Sequence, residues 1–263
     1  MKHAIRDGVL IAEEEASLPV TLRSMQYAYS VYEALKLKNG EFVHLDEHLY
    51  RLRESARGIR IDLRYTDMEI SSWLDLLKEA DSLVNETFRI LLVGNENILF
   101  ITHDKTKSYP DSYYMEGVDC TLYEGERFLP NYKTSNLLLS YLALEDAEEK
   151  GAFEALLVNR HGYITEGTRS NFYALKGNRL YTAPDRDVLL GVTRIGVMEA
   201  ARVMNVEVVY EPVYVKDVYD YDSLFISSTS MKAMPIRSIN GVSVSRRMNT
   251  MVLRFSDYVG KWE

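Results

Sequence analysis

The chain has 263 residues, with 31 Lys and Arg against 39 Asp and Glu, a formal net charge of −8, 46% hydrophobic residues and one Cys. At roughly 100–200 residues per domain this is one large or two modest domains, long enough to bury a core, and the lone Cys120 excludes an internal disulfide and suits a reducing compartment. The acidic balance argues against a nucleic-acid phosphate backbone as partner, and no apolar run reaches the ~18 residues of a membrane span. The opening seven residues carry no apolar stretch of the signal-peptide kind, so a soluble cytoplasmic protein that contacts neither nucleic acid nor membrane is expected.

In chain order, residues 31–37, Asn39-Gly40 and Phe42-Val43 read as a hairpin on a tight Asn-Gly turn. Leu45, Leu49, Leu52, Ala56 and Ile59 share one helical face. Thr66 with Glu69 is a capping box opening a second helix, with Ile70, Trp73, Leu74, Leu77 and Ala80 inward. Strands follow at 87–93 and 98–102. The stretch at 104–117 is polar, contains Pro110 and has no period, so it reads as a linker. Beyond it a helix is expected to about Lys150, closed by Gly151, then strands near 154–158, 163–164, 172–175 and 180–182. A helix at 194–204, strands near 206–210 and 224–227, a hairpin at Asn240-Gly241 and a helix at 246–261 complete the chain. Clustered strands with interspersed helices predict an α+β fold, divided into a small domain (1–108), a linker (109–121) and a larger domain (122–263).

Neither a glycine-rich dinucleotide loop, a phosphate-binding loop nor a nucleophile elbow is present. His44-Leu45-Asp46-Glu47-His48 matches the His-x-x-Glu-His order of inverted zinc peptidases, but five residues match easily by chance and no third ligand is in view. No metal site is therefore expected, and a zinc peptidase or a non-catalytic scaffold are distant alternatives. The second half carries a longer pattern: Glu166-Gly167-Thr168-Arg169-Ser170-Asn171-Phe172-Tyr173, then Leu180-Tyr181-Thr182, then Leu190-Gly191-Val192-Thr193-Arg194. Val192 and Thr193 stand at a helix start, where backbone N–H groups attract anions. Ser227-Ser228-Thr229-Ser230 is a hydroxyl-rich end to a β-run, and Arg51 could clamp a phosphate.

Together these blocks, with Val31-Tyr32-Glu33 and Asp46-Glu47-His48-Leu49-Tyr50-Arg51-Leu52, resemble the fold-type IV (class IV) pyridoxal-phosphate enzymes. That group holds the branched-chain and D-amino-acid aminotransferases and aminodeoxychorismate lyase. The resemblance runs from about Tyr27 to Val244 and implies a two-domain fold with a small α/β domain and a larger pseudo-barrel domain. It implies pyridoxal 5′-phosphate as cofactor, amino-acid and 2-keto-acid substrates, transamination as the activity, the lyase as alternative, and a homodimer. It also implies residue roles. Lys133 matches the cofactor-linking catalytic lysine, and Glu166 the carboxylate facing the pyridine nitrogen. Arg51, Val192, Thr193 and Thr229, with Ser228, match the phosphate positions. Two departures stand out: Tyr27-Ala28-Tyr29-Ser30 has bulk where the family favours glycine, and Gly94-Asn95-Glu96-Asn97 lacks the Arg-x-His pair of some D-amino-acid enzymes. Tyr27, Tyr32, Arg89 and Ser230 are the remaining candidates for substrate contact.

Overall fold

A computed structural model describes residues 2–244 and 250–263. They fall into two compact units. The first runs to Lys107 and takes in Tyr132–Asn136; the second comprises Ser108–Asn131 and Leu137–Glu263.

The first unit contains β1 (His3–Arg6), β2 (Val9–Ala12), α1 (Arg23–Gln26), β3 (Ser30–Lys38), β4 (Glu41–Phe42), α2 (Leu45–Gly58), α3 (Asp67–Ala80), β5 (Glu86–Val93) and β6 (Ile98–Lys105). Its six strands are antiparallel in the order β2-β1-β6-β5-β3-β4. Asn39 and Gly40 both take positive φ, 53° and 85°, the turn that matches the twist of β3 and β4. Val31, Leu35 and Leu37 of β3 alternate inward and pack against Leu49, Leu52 and Ala56 of α2 and Ile70, Leu74 and Leu77 of α3. Ala80, expected inward, is exposed, because the apolar face of α3 ends at Leu77. The Thr66 capping box closes, Glu69 N–H donating to Thr66 Oγ1 at 3.2 Å and Thr66 N–H to Glu69 Oε2 at 2.7 Å. Ala28 adopts φ 49°, the left-handed region that glycine enters without strain.

The second unit contains α4 (Asp111–Glu116), β7 (Val118–Glu124), α5 (Leu138–Glu149), β8 (Glu154–Val158), β9 (Tyr163–Gly167), β10 (Asn171–Lys176), β11 (Arg179–Tyr181), α6 (Val192–Val203), β12 (Glu207–Val209), β13 (Val213–Tyr214), β14 (Ser223–Ser228), β15 (Lys232–Ile239), β16 (Val242–Ser243) and α7 (Thr250–Trp262). Strand order is β12-β11-β10-β14-β15-β7-β8-β9-β13, and β9 pairs back onto β10 through Glu166 and Asn171. That pairing closes six strands into a barrel. β7 lies parallel to both β8 and β15, while most other pairs are antiparallel.

The stretch read as linker is folded. Tyr109 and Tyr113 pack on Phe153, with ring centroids 5.3 and 5.5 Å away, and Val118 and Cys120 are buried in the barrel core. The six apolar residues spread over positions 109–120 form no period, so tertiary packing decides this segment. The first four residues expected in the last helix, 246–249, lie outside the described residues; α7 is seen from Thr250. No described helix is long and apolar enough to cross a membrane.

Candidate active site

In the first unit, Lys133 is pinned through its backbone. Its N–H donates to Ser55 Oγ at 3.0 Å and its carbonyl accepts from Tyr32 N–H at 3.0 Å, while Val31 and Thr134 form a β-bridge. Lys133 Nζ lies 4.4 Å from the centroid of the Tyr32 ring. Tyr32, Leu91 and Phe100 share this face of the sheet, because residues paired across antiparallel strands point the same way. Arg89 lies farther along it, exposed and 3.2 Å from Asp104. Tyr27 is 71% exposed, with the Arg23 guanidinium 5.5 Å from its ring centroid.

Arg51, one helical turn from His48 on α2, meets Glu33, a carboxylate to which the sequence alone gives no role. Its Nε and Nη2 donate to Glu33 Oε1 and Oε2, each at 2.7 Å, in a bidentate pair. His48 Nδ1 lies 2.9 Å from Glu33 Oε2. Burial alone would raise the Glu33 carboxyl, but the Arg51 charge and the hydrogen bonds from Arg51 and His48 outweigh it and hold the group well below the usual carboxylate range. Burial pushes the His48 imidazole the other way, toward its neutral form. The apparent zinc motif is thus employed otherwise: His48 is buried on Glu33, His44 sits at the N-cap of α2, and among the described residues no cluster of three or more ligands could hold a metal ion.

In the second unit, Glu166 is buried on β9 and accepts from Leu189 N–H at 3.1 Å and from Arg127 Nη1 at 3.3 Å. Arg127, itself anchored on the Pro130 carbonyl at 3.1 Å, escapes a reading of the sequence because an arginine in a polar loop six residues before Lys133 looks like ordinary surface. Asn171, opposite Glu166, donates to Leu189 O at 2.8 Å. A Cβ on Gly191 would fall 2.3 Å from Asn171 Oδ1, so glycine is required for this approach.

Gly191 caps α6 with extended φ and ψ of −62° and 140°, leaving the first-turn N–H groups of Val192 and Thr193 directed out of the helix end. The Thr193 hydroxyl donates to Glu263 at 3.4 Å, so its backbone N–H is what it offers an anion. At the end of β14, Ser228 and Ser230 place their hydroxyls 3.3 Å apart, flanking Thr229. The turn between Glu166 and Asn171 is built on Glu154, fully buried, which accepts from Thr168 N–H at 3.2 Å and Ser170 Oγ at 3.0 Å. Burial raises the Glu154 carboxyl; Arg169 and these donors offset part of that.

Residues 30–239 match the family model described as amino-transferase class IV. The chain is 29% identical over 253 residues to the D-alanine aminotransferase of Bacillus licheniformis, covering 90% of this chain and 88% of that protein. It is 28% identical over 279 residues to a putative branched-chain-amino-acid aminotransferase of Methanocaldococcus jannaschii, covering 97% and 96%. Its fold matches a hypothetical aminotransferase from Mycobacterium tuberculosis, solved in its PLP-bound form, at a TM-score of 0.85 and 18% identity over 99% of this chain and 98% of that one. The protein belongs to the class IV aminotransferases, enzymes that transfer an amino group between an amino acid and a 2-keto acid with pyridoxal 5′-phosphate as cofactor.

Proposed function

We propose that Lys133 is the catalytic lysine, that Glu166 faces the pyridine nitrogen, and that Arg51, Val192, Thr193, Ser228 and Thr229 hold the phosphate. The pinned backbone of Lys133, which delivers its amine from a fixed point over Tyr32, carries this reading. The donor set suits the group: a lysine amine, an enclosed carboxylate, an arginine, and helix N-terminal N–H groups kept open by Gly191. Pyridoxal phosphate, when bound, supplies an electron-accepting ring and the carbon that carries the amino group. Lys133 Nζ would be the base that takes the proton from the substrate Cα and gives it back on the far side of the substrate nitrogen. Glu166, ion-paired with Arg127, would supply the negative charge that favours a protonated pyridine nitrogen. Tyr32, Leu91 and Phe100 line one sheet face with apolar and aromatic surface, and Arg89 is paired with Asp104, which supports neutral aliphatic amino acids as substrates over dicarboxylic side chains. Tyr27, Tyr32 and Ser230 remain candidates for the substrate carboxylate.

A homodimer in the cytoplasm is part of the same proposal. Leu138, Tyr141 and Leu142 project from α5 with 67%, 60% and 47% exposure, while its inward side is Ser140, Ala143 and Ala147. Large apolar residues outside and small ones inside suit a helix that meets a second copy. Buried Cys120, whose thiol burial raises, suits a reducing compartment.

Borohydride reduction of the purified protein should fix the cofactor on the peptide containing Lys133, and Lys133→Ala should lower turnover by at least about 100-fold. A panel of L- and D-amino acids with 2-oxoglutarate, scored by chiral detection, should yield glutamate from aliphatic donors. No adduct on Lys133 would overturn the residue roles; pyruvate release from aminodeoxychorismate without glutamate formation would overturn the transaminase reading in favour of the lyase.

A further inference from the structure

Two segments of the second unit that carry proposed phosphate donors are joined behind their surface by buried polar groups. Tyr173, on β10, is fully buried, its ring stacked on Phe225 with centroids 4.7 Å apart. Its phenol oxygen accepts from Ser227 Oγ at 3.2 Å, and Ser227 directly precedes Ser228 and Thr229 at the end of β14. The Arg194 guanidinium lies over the same ring, 5.9 Å from its centroid, and donates to Thr182 Oγ1 at 2.8 Å, Ala183 O at 3.3 Å and Asp185 Oδ1 at 2.9 Å. Arg194 is buried and follows Thr193 in the first turn of α6.

Burying a guanidinium, a phenol and a hydroxyl is costly unless each finds a partner, and here every link of the chain does. Such a chain is rigid, because moving one member leaves another unpaired. It ties the start of α6 to the end of β14, two segments that are far apart in sequence and share no backbone hydrogen bond among the described residues. We propose that Tyr173 and Arg194 are positioning residues that fix the α6 N-terminus and the β14 end relative to each other, so that their donors act as one phosphate cradle. This rests on the reading of Val192, Thr193, Ser228 and Thr229 as phosphate donors.

The test compares the affinity of cofactor-free enzyme for pyridoxal 5′-phosphate and for pyridoxal, which lacks the phosphate, in the natural protein, Tyr173→Phe and Ser227→Ala. Tyr173→Phe keeps the stacked ring and removes only the hydroxyl; Ser227→Ala breaks the same bond from the other side should the first variant fold poorly. Each should weaken pyridoxal 5′-phosphate binding about three- to tenfold. Each should leave pyridoxal binding unchanged and weaken competition by inorganic phosphate by the same factor. Equal losses for both cofactor forms, or no loss for either, would overturn the inference. If the natural protein binds both forms equally well, the phosphate reading itself fails; if it discriminates and the variants keep its ratio, only the linking role fails.

Discussion

A Cβ on Gly58 would sit 2.2 Å from the Tyr132 ring, which stands next to Lys133 on the chain. Gly58→Ala is therefore expected to displace that ring, costing about 1–3 kcal/mol of stability and lowering kcat/KM; thermal melts and steady-state kinetics on one preparation separate the two effects. Unchanged kinetics in a destabilised protein would mean that Tyr132 moves without carrying Lys133. Glu33→Gln should cost more. It removes the counter-charge of a buried arginine, a change worth about 3–5 kcal/mol, and should loosen cofactor binding through Arg51. Denaturant unfolding of the cofactor-free protein checks the first part and cofactor titration the second. Lys133, Glu166 and Arg51 can be proposed from the sequence because each belongs to a separated block of the family pattern. Their partners Arg127, Ser55 and Glu33 are not, since contact across 18 to 78 positions leaves no local signature.

Helices and hairpins with local signals are readable from the chain alone. α3 announces itself through Thr66 and Glu69, and Thr66→Ala should lower stability by about 1 kcal/mol, seen as a fall in Tm with no change in turnover. A turnover change would mean that α3 does more than support the first unit. α5 is signalled by its leucines, yet several of these face outward and the small residues pack inward. If α5 carries the proposed homodimer contact, Leu142→Glu in its exposed face should shift sedimentation toward monomer; a variant that sediments like the natural protein would remove α5 from that proposal. Short strands such as β1, β2 and β13 escape notice, because four residues or fewer offer too few alternations to distinguish from loop. β7 is hidden differently: Val118, Asp119 and Cys120 alternate as a strand should, but they follow directly on the polar, Pro110-containing stretch and read as its continuation.

For the whole molecule, acid is the telling stress. Burial pulls Asp81 upward, but hydrogen bonds from the His3 side chain and backbone and from His103 outweigh it and bring the carboxyl to about 2. A carboxylate whose value is depressed by folding contributes stability that is present above its unfolded value of roughly 4 and lost as pH falls through the folded value. Glu33, also depressed, acts in the same direction, whereas Glu154, raised by burial, favours its protonated form and opposes them. Stability of the first unit should therefore fall between about pH 4 and pH 2, and Asp81→Asn should flatten that fall in a series of melts; an unaltered slope would show that Asp81 contributes nothing to it. Barrel closure has a consequence of another kind. β7 is hydrogen-bonded along one side to β15, so Val118 waits for Ile236. During synthesis, at about 5–20 residues per second, the strand that opens the second unit is made many seconds before its neighbour leaves the ribosome. Over that interval Val118–Glu124 has an unpaired side, and a nascent chain arrested before β15 would carry β7, β8 and β9 with Glu166 but without the closed ring of strands.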